Sequence, residues 1–182
     1  MSCCPPNSWP ELATDYKSVG TVTKVADLDI YHVGQGPKCI IWNYDIFGFD
    51  SGRTRQLCDL FAKEGYLVVM PDFYRGTMCD PSTAPEGELP KFIIEHTSWA
   101  KIEKDFNKVL DFAKEKGAQS FGTIGTCWGS YVVIRLSSQE GIKAGVSMHP
   151  SHTPIAGMIL KENEKEILQN IKCPQLFMPA GE

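Results

Sequence analysis

One cysteine occupies a position where the chain could build a nucleophile. Cys127 is the central residue of a G-x-C-x-G pattern at residues 125–129 (GTCWG). We predict a strand over residues 119–124, just before the pattern, and a helix over residues 128–138, just after it. A side chain on such a sharp strand-to-helix turn projects from the edge of the sheet, and the flanking glycines let strand and helix approach closely. The spacing therefore predicts a nucleophilic thiol.

The predicted helix after Cys127 would favour this chemistry. The backbone N–H of Trp128 lies at its N-terminus, where it can point at the oxygen that becomes negative during acyl transfer. The helix dipole also favours the thiolate over the thiol at this end. The alternative is that Cys127 is a packing cysteine in an ordinary tight turn, since buried free cysteine behaves as a small hydrophobic residue.

A histidine is predicted at the same edge of the sheet. His149 directly follows a predicted strand over residues 143–148. Ligands of open α/β sheets bind outside the carboxyl ends of the strands. His149 is therefore a candidate substrate-binding residue, and a loop histidine that is hydrogen-bonded to backbone is the other interpretation.

Strands and helices alternate along the chain that positions these residues. The apolar runs at residues 38–43 and 66–70 are typical of strands buried on both faces, and they are followed or preceded by amphipathic helical patterns. This order predicts one α/β domain over residues 21–182, with a mostly parallel sheet and helices on both faces, after an irregular segment at 1–20. We also predict a long functional loop at 76–98.

Composition and charge exclude several classes of protein. The net charge is −4 and no basic stripe is present, so we expect no nucleic-acid partner. The longest apolar stretches are far shorter than the ~20 residues of a membrane helix, and the first residues lack the pattern of a signal peptide. We therefore expect a cytoplasmic protein with no membrane partner. The seven cysteines are not spaced with histidines as a zinc site requires, so we expect no metal.

Three segments, in this order, resemble the dienelactone hydrolase family. They are residues 43–48 (NYDIFG), residues 65–74 (GYLVVMPDFY) and the GTCWG turn at 125–129. The resemblance runs from about residue 20 to the C-terminus. It implies the α/β-hydrolase fold, a cysteine nucleophile and no cofactor.

The resemblance also implies roles for individual residues. Cys127 would be the nucleophile, and the N–H groups of Ile46 and Trp128 would form the oxyanion hole. Asp45 would correspond to an acidic residue that interacts with the resting cysteine, and Arg75 to an arginine that binds a substrate carboxylate. From the residues alone, each of these two has another interpretation. Asp45 is then a loop carboxylate or a helix cap, and Arg75 forms a structural ion pair.

The expected function is hydrolysis of a small-molecule lactone or carboxylic ester by a monomer or weak homo-oligomer. In the family, the acid and the histidine of the catalytic triad follow a strand similar to residues 174–178. We therefore expect them beyond Glu182 and the domain to be truncated at its C-terminus. Two alternatives stay open: a non-catalytic module that binds an acidic metabolite through Arg75, and a redox-sensing thiol protein that uses Cys127.

Overall fold

The computed structural model describes residues 16–81 and 83–180, so most of the predicted irregular segment 1–20 lies outside the described residues. Residues 16–20 precede the first strand without regular structure. The strands are β1 (Thr21–Val25), β2 (Leu28–Val33), β3 (Lys38–Asn43), β4 (Leu67–Pro71), β5 (Ser120–Thr126), β6 (Ile142–Met148) and β7 (Gln175–Met178). The helices are α1 (Thr54–Lys63), α2 (Glu88–His96), α3 (Trp99–Glu115), α4 (Gly129–Leu136), a π-helix (Pro154–Ile159) and α5 (Glu164–Gln169).

The seven strands form one mostly parallel sheet, in the order β1-β2-β4-β3-β5-β6-β7. Only β1 with β2 and β2 with β4 pair antiparallel, and every other neighbouring pair is parallel. Strands β3 and β5 are neighbours, with Asn43 opposite Gly125. The loop after β3 and the turn after β5 therefore leave the same edge of the sheet side by side.

Helices cover both faces of the sheet, as predicted. Successive strand residues point to opposite faces. In β2, the hydroxyl of Tyr31 donates to Asp59 of α1, whereas the ring of the next residue, His32, contacts Phe112 of α3 at 5.2 Å between centroids. Helices α1 and α3 therefore lie on opposite sides. This is why β4 is buried at all five positions, as its unbroken apolar sequence predicts.

The predicted loop at 76–98 is wrong in its second half, because residues 88–96 form α2. The sequence did not indicate this helix because it contains Pro90. This residue lies in the first turn of α2, where the N–H group that proline lacks would have no partner within the helix. The last turn ends at Thr97, whose side chain donates to the Ile93 carbonyl at 2.6 Å.

The many charged residues at 158–170 predict one continuous helix, and this prediction is wrong. The π-helix begins earlier, at Pro154, and a separate helix, α5, begins at Glu164. Asn163 starts this second helix, since its side-chain oxygen accepts the N–H of Glu166 at 3.3 Å. No helix within the described residues is both long enough and apolar enough to span a membrane.

Candidate active site

Cys127 lies on a tight turn between β5 and α4. Its φ angle is 52°, in the left-handed region that residues other than glycine rarely adopt. Its N–H donates to the Met148 carbonyl at 3.1 Å, and its own carbonyl accepts the side-chain hydroxyl of Ser130 at 2.6 Å. These hydrogen bonds hold the strained backbone in place between two neighbouring strands and the first turn of the helix.

The glycines on either side of Cys127 are required by close backbone contacts. A Cβ on Gly125 would lie 2.8 Å from a methyl carbon of Val133, and closer still to the backbone of Gly129. A Cβ on Gly129 would lie 2.6 Å from the Tyr44 carbonyl oxygen. Helix α4 therefore begins directly against the end of β3, which explains both glycines of the G-x-C-x-G pattern.

The sulfur of Cys127 has a hydroxyl donor that the sequence did not reveal. The Ser151 hydroxyl donates to Cys127 Sγ at 3.5 Å, and the Ser151 N–H donates to Ser130 Oγ at 2.9 Å. Cys127 is only 8% exposed, so this contact lies in a largely enclosed site. Ser151 is three residues beyond β6, and only the pairing of β5 with β6 brings it to the thiol.

The loop after β3 is shaped by Asp45. The Asp45 carboxylate accepts the N–H of Phe47 at 2.9 Å and the hydroxyl of Ser51 at 3.2 Å. The next residue, Ile46, is 3% exposed, and its carbonyl accepts the Cys79 N–H at 3.4 Å. Asp45 thus stabilises the loop that carries Ile46, while the oxyanion-hole role of Ile46 and the contact of Asp45 with the cysteine stay predictions.

Aromatic side chains pack beneath the turn. The Trp128 ring stacks on Tyr44 at 5.6 Å between centroids and lies 4.6 Å from Tyr74. Trp128 is 1% exposed, so its side chain belongs to the core and only its backbone can serve an oxyanion hole. The Tyr74 hydroxyl is buried and has no hydrogen-bond partner among the described residues. Burial, and then the electrostatic effect of the neighbouring Tyr44, Cys127 and Asp45, raise the pKa of Tyr74 well above 10.

His149 lies at the same sheet edge as Cys127. It follows β6 immediately, with a φ of 48°, and its N–H donates to the Met178 carbonyl of β7 at 2.8 Å. Since Met148 is paired with Thr126, His149 and Cys127 leave neighbouring strands at the same level. The structure thus brings the two residues to one edge, and the substrate-binding role of His149 stays a prediction.

Arg75 takes part in an ion-pair cluster. Its guanidinium group lies 2.9 Å from Asp27 and 2.9 Å from Asp105, and Lys108 contacts the same two carboxylates. Hydrogen bonds from Lys108 and Arg75 hold the pKa of Asp27 well below its usual range. This is the ion pair that the sequence left as an alternative, and a substrate contact by Arg75 stays a prediction.

A cavity of about 440 Å³ opens beside the Asp45 loop. Its lining includes three carboxylates and three large apolar side chains, which are Asp45, Asp50, Asp80, Phe47, Phe49 and Met78. Its volume is in the range of small-molecule sites, which span roughly 300–1,000 Å³. Within residues 16–81 and 83–180, no group of three or more histidine, cysteine or acidic side chains could hold a metal ion. None of the five cysteines in this part of the chain forms a disulfide bond.

Comparison with known protein sequences identifies the family of this chain. The sequence model of the dienelactone hydrolase family matches residues 31–182. The chain belongs to this family. It is 30% identical over 172 residues to a carboxymethylenebutenolidase homolog from Rattus norvegicus and 28% identical over 172 residues to the one from Homo sapiens, covering 91% of this chain in each case. The chain spans 65% of the length of each of these relatives.

Solved structures confirm the α/β-hydrolase fold of this dienelactone hydrolase family member. A putative dienelactone hydrolase from Klebsiella pneumoniae superposes with a TM-score of 0.59 at 20% identity, covering 90% of this chain and 86% of that one. A cold-adapted esterase from an Arctic intertidal metagenomic library gives a TM-score of 0.66 at 14% identity, covering 89% and 76%. At these identities the likeness establishes the fold alone.

Proposed function

We propose that this member of the dienelactone hydrolase family cleaves small carboxylic esters or lactones through a cysteine nucleophile, Cys127. The observation that carries the proposal is the strained cysteine between β5 and α4, with Ser151 donating to its sulfur. Backbone strain of this kind occurs mostly at functional sites, since it persists only where the surrounding structure holds the residue in place. A packing cysteine in the same turn would need neither the positive φ nor a donor to its sulfur.

The proposed reaction has two steps. The thiolate of Cys127 attacks the carbonyl carbon, and the new S–C bond pushes the carbonyl electrons onto oxygen, where the N–H groups of Ile46 and Trp128 stabilise the charge. The C–O bond then breaks, and the alkoxide takes a proton from water and leaves as the alcohol, or stays tethered to the acyl group if the substrate is a lactone. Water next attacks the thioester and releases the acid and the thiol.

Neighbouring elements support these assignments. Asn43 and Gly125 are paired on adjacent parallel strands, and Ile46 and Trp128 each lie three residues beyond one member of this pair. Their backbones therefore leave one sheet edge together. In the family, the acid and histidine of the triad follow the strand that corresponds to β7, and the proposal assigns neither role to a described residue.

Hydrolysis of p-nitrophenyl esters and of a small lactone by Cys127→Ala and Cys127→Ser variants tests the proposal. We expect both variants to lose more than ~10³-fold in kcat, because neither replacement side chain can form the thioester through which the proposed reaction proceeds. Cys173→Ala is the matched control, since Cys173 is also a free thiol but lies beside Ser137 and Gln175. Full activity in Cys127→Ala would show that the assignment is wrong.

The proposed function also includes the location, the oligomeric state and the partners of the protein. The five cysteines of the described residues form no disulfide bond, and this supports a reducing, cytoplasmic location. We propose a monomer or weak homo-oligomer that acts on a small molecule, with no nucleic-acid or membrane partner. A wild-type protein that binds a lactone without turning it over would instead favour the non-catalytic module. Peroxide oxidation of Cys127 that outpaces all other cysteines would favour the redox alternative.

A further inference from the structure

The end of β6 and the segment that follows it contact Cys127 at three points. The Met148 carbonyl accepts the Cys127 N–H at 3.1 Å, and the Ser151 N–H donates to the Cys127 carbonyl at 3.3 Å. The Ser151 hydroxyl donates to Cys127 Sγ at 3.5 Å. The first two contacts hold the strained backbone of the turn, whereas the third acts on the sulfur alone.

Ser151 is itself held in place by several hydrogen bonds. Its N–H also donates to Ser130 Oγ at 2.9 Å, and its carbonyl accepts the N–H of Ile155, in the π-helix, at 3.3 Å. The residue directly before it is Pro150, whose ring fixes φ, and the N–H of His149 is bonded to β7. The chain on both sides of Ser151 is therefore fixed, and its hydroxyl is presented to the sulfur of Cys127.

The hydrogen bond from Ser151 to the sulfur differs from those of many other hydroxyl groups in this chain. Serine and threonine hydroxyls commonly donate to a backbone carbonyl three or four residues earlier. Six side chains of the described residues do so, namely Ser51, Thr77, Thr83, Thr97, Ser130 and Ser138. Ser151 instead donates to a sulfur atom 24 positions away, so local preference does not account for this contact.

A hydroxyl that donates to sulfur favours the thiolate over the thiol. The thiolate carries a full negative charge, and a hydrogen bond to the charged form of a group stabilises that form. Cys127 is only 8% exposed, so water can supply few such hydrogen bonds to its sulfur. The reaction proposed above depends on this form, because the thiolate is the nucleophile.

We propose that Ser151 is a positioning residue for the nucleophile, whose hydroxyl stabilises the Cys127 thiolate and orients its sulfur. The inference rests on the proposed function, in which this thiolate attacks the carbonyl carbon. The same hydrogen bond stabilises the sulfur when water attacks the thioester and the electrons of the C–S bond return to it. Ser151 thus assists both steps without exchanging a proton with the substrate.

The pH profile of Cys127 alkylation tests the inference. Wild-type protein and Ser151→Ala react with iodoacetamide at a series of pH values on both sides of ~8.5, and peptide mass spectrometry follows Cys127. The midpoint of the profile reports the equilibrium between thiol and thiolate, and it does not depend on how accessible the sulfur is. A hydrogen bond to a charged group contributes more than one to a neutral group, so we expect the midpoint to rise by roughly one pH unit in Ser151→Ala.

The titratable groups around the turn are the same in both proteins. They lie after β3, after β4, on α2 and after β6, and they are Asp45, Tyr74, Cys79, His96, His149 and His152. Ser151→Ala also keeps the N–H and carbonyl hydrogen bonds of residue 151. A difference between the two midpoints therefore reports the loss of the hydroxyl.

Two further variants separate the hydroxyl from a change in structure. Ser151→Thr keeps a hydroxyl at this position and should keep the midpoint close to that of the wild type. Ser138→Ala is the matched control, because it removes a hydroxyl that donates to the Arg135 carbonyl at 2.7 Å, beyond the other end of α4. Its midpoint should equal that of the wild type. Equal midpoints for the wild type and Ser151→Ala would overturn the inference.

Ester hydrolysis adds a readout that a merely structural role would not produce. Below the midpoint, the kcat of Ser151→Ala should be ~10-fold lower than that of the wild type, because one pH unit changes the thiolate fraction tenfold. The difference should narrow at higher pH, and KM should stay unchanged. A loss of kcat of the same size at every pH would refute the effect of Ser151 on the thiolate.

Alkylation requires no turnover, so the inference and the proposed function can fail separately. A higher midpoint in Ser151→Ala, with no hydrolysis of any ester by the wild type, would retain the effect of Ser151 on the thiolate and reject the hydrolase. Ester hydrolysis that depends on Cys127, with equal midpoints for the wild type and Ser151→Ala, would retain the hydrolase and reject the role of Ser151.

Discussion

The contact between α4 and β3 leads to a sharp prediction for Gly129→Ala. The added Cβ would lie 2.6 Å from the Tyr44 carbonyl oxygen and 2.7 Å from the Asn43 carbonyl carbon, whereas ordinary contact begins at 3.4 Å. Both neighbours are backbone atoms, one in the last residue of β3 and one in the residue after it, so helix and strand must separate by about 0.8 Å or more. Overpacking of this kind costs ~1–3 kcal/mol, and we expect a loss near the upper end because no flexible side chain can move aside.

Urea denaturation of Gly129→Ala measures this cost. With an m-value of ~2 kcal/mol/M, a loss of ~2–3 kcal/mol lowers the unfolding midpoint by about 1–1.5 M. Gly157→Ala is the matched control, since its Cβ would meet nothing within 4 Å and the residue lies in the π-helix. Its stability should stay equal to the wild type or rise by up to ~1 kcal/mol. Equal midpoints for the two variants would refute the close contact between α4 and β3.

Two further predictions concern buried polar groups near the site. Tyr74→Phe removes a buried hydroxyl without a partner among the described residues, so the free energy of unfolding should rise by ~1 kcal/mol in urea denaturation; a clear loss of stability would contradict this. Burial lowers the pKa of His152 below 6.5, against the opposing effect of Glu164, so the folded state resists protonation and stability should fall as the pH drops below 6.5. His152→Gln should weaken this pH dependence, and an unchanged profile of unfolding free energy between pH 7.5 and 5 would exclude the histidine as its source.

Local sequence patterns were sufficient to predict the central sheet and the turn. The unbroken apolar runs of β3 and β4 predicted strands buried on both faces, and both are buried at nearly every position. Two glycines around Cys127 predicted a tight strand-to-helix turn, because only close backbone contact requires them there. Both patterns depend only on residues that are close together in the chain, so they can be recognised in a single sequence.

The partners of the site residues could not be predicted, because tertiary structure brings them together. Ser151 reaches Cys127 across 24 positions of the chain, and Arg75 meets Asp27 across 48. The spacing of residue types along the chain does not indicate which distant residues form such pairs. Helix α2 was missed for a different reason, since Pro90 usually marks a loop and its position in a first turn became visible only with the helix bounds.

The most direct test of the central claim is to trap the acyl-enzyme. Wild-type protein is mixed with a p-nitrophenyl ester, quenched in acid during turnover, digested and analysed by mass spectrometry. The account predicts the acyl mass on the peptide that contains Cys127, and its disappearance in Cys127→Ala. Turnover with the acyl group on another residue, or on none at all, would contradict the assignment of Cys127 as the nucleophile.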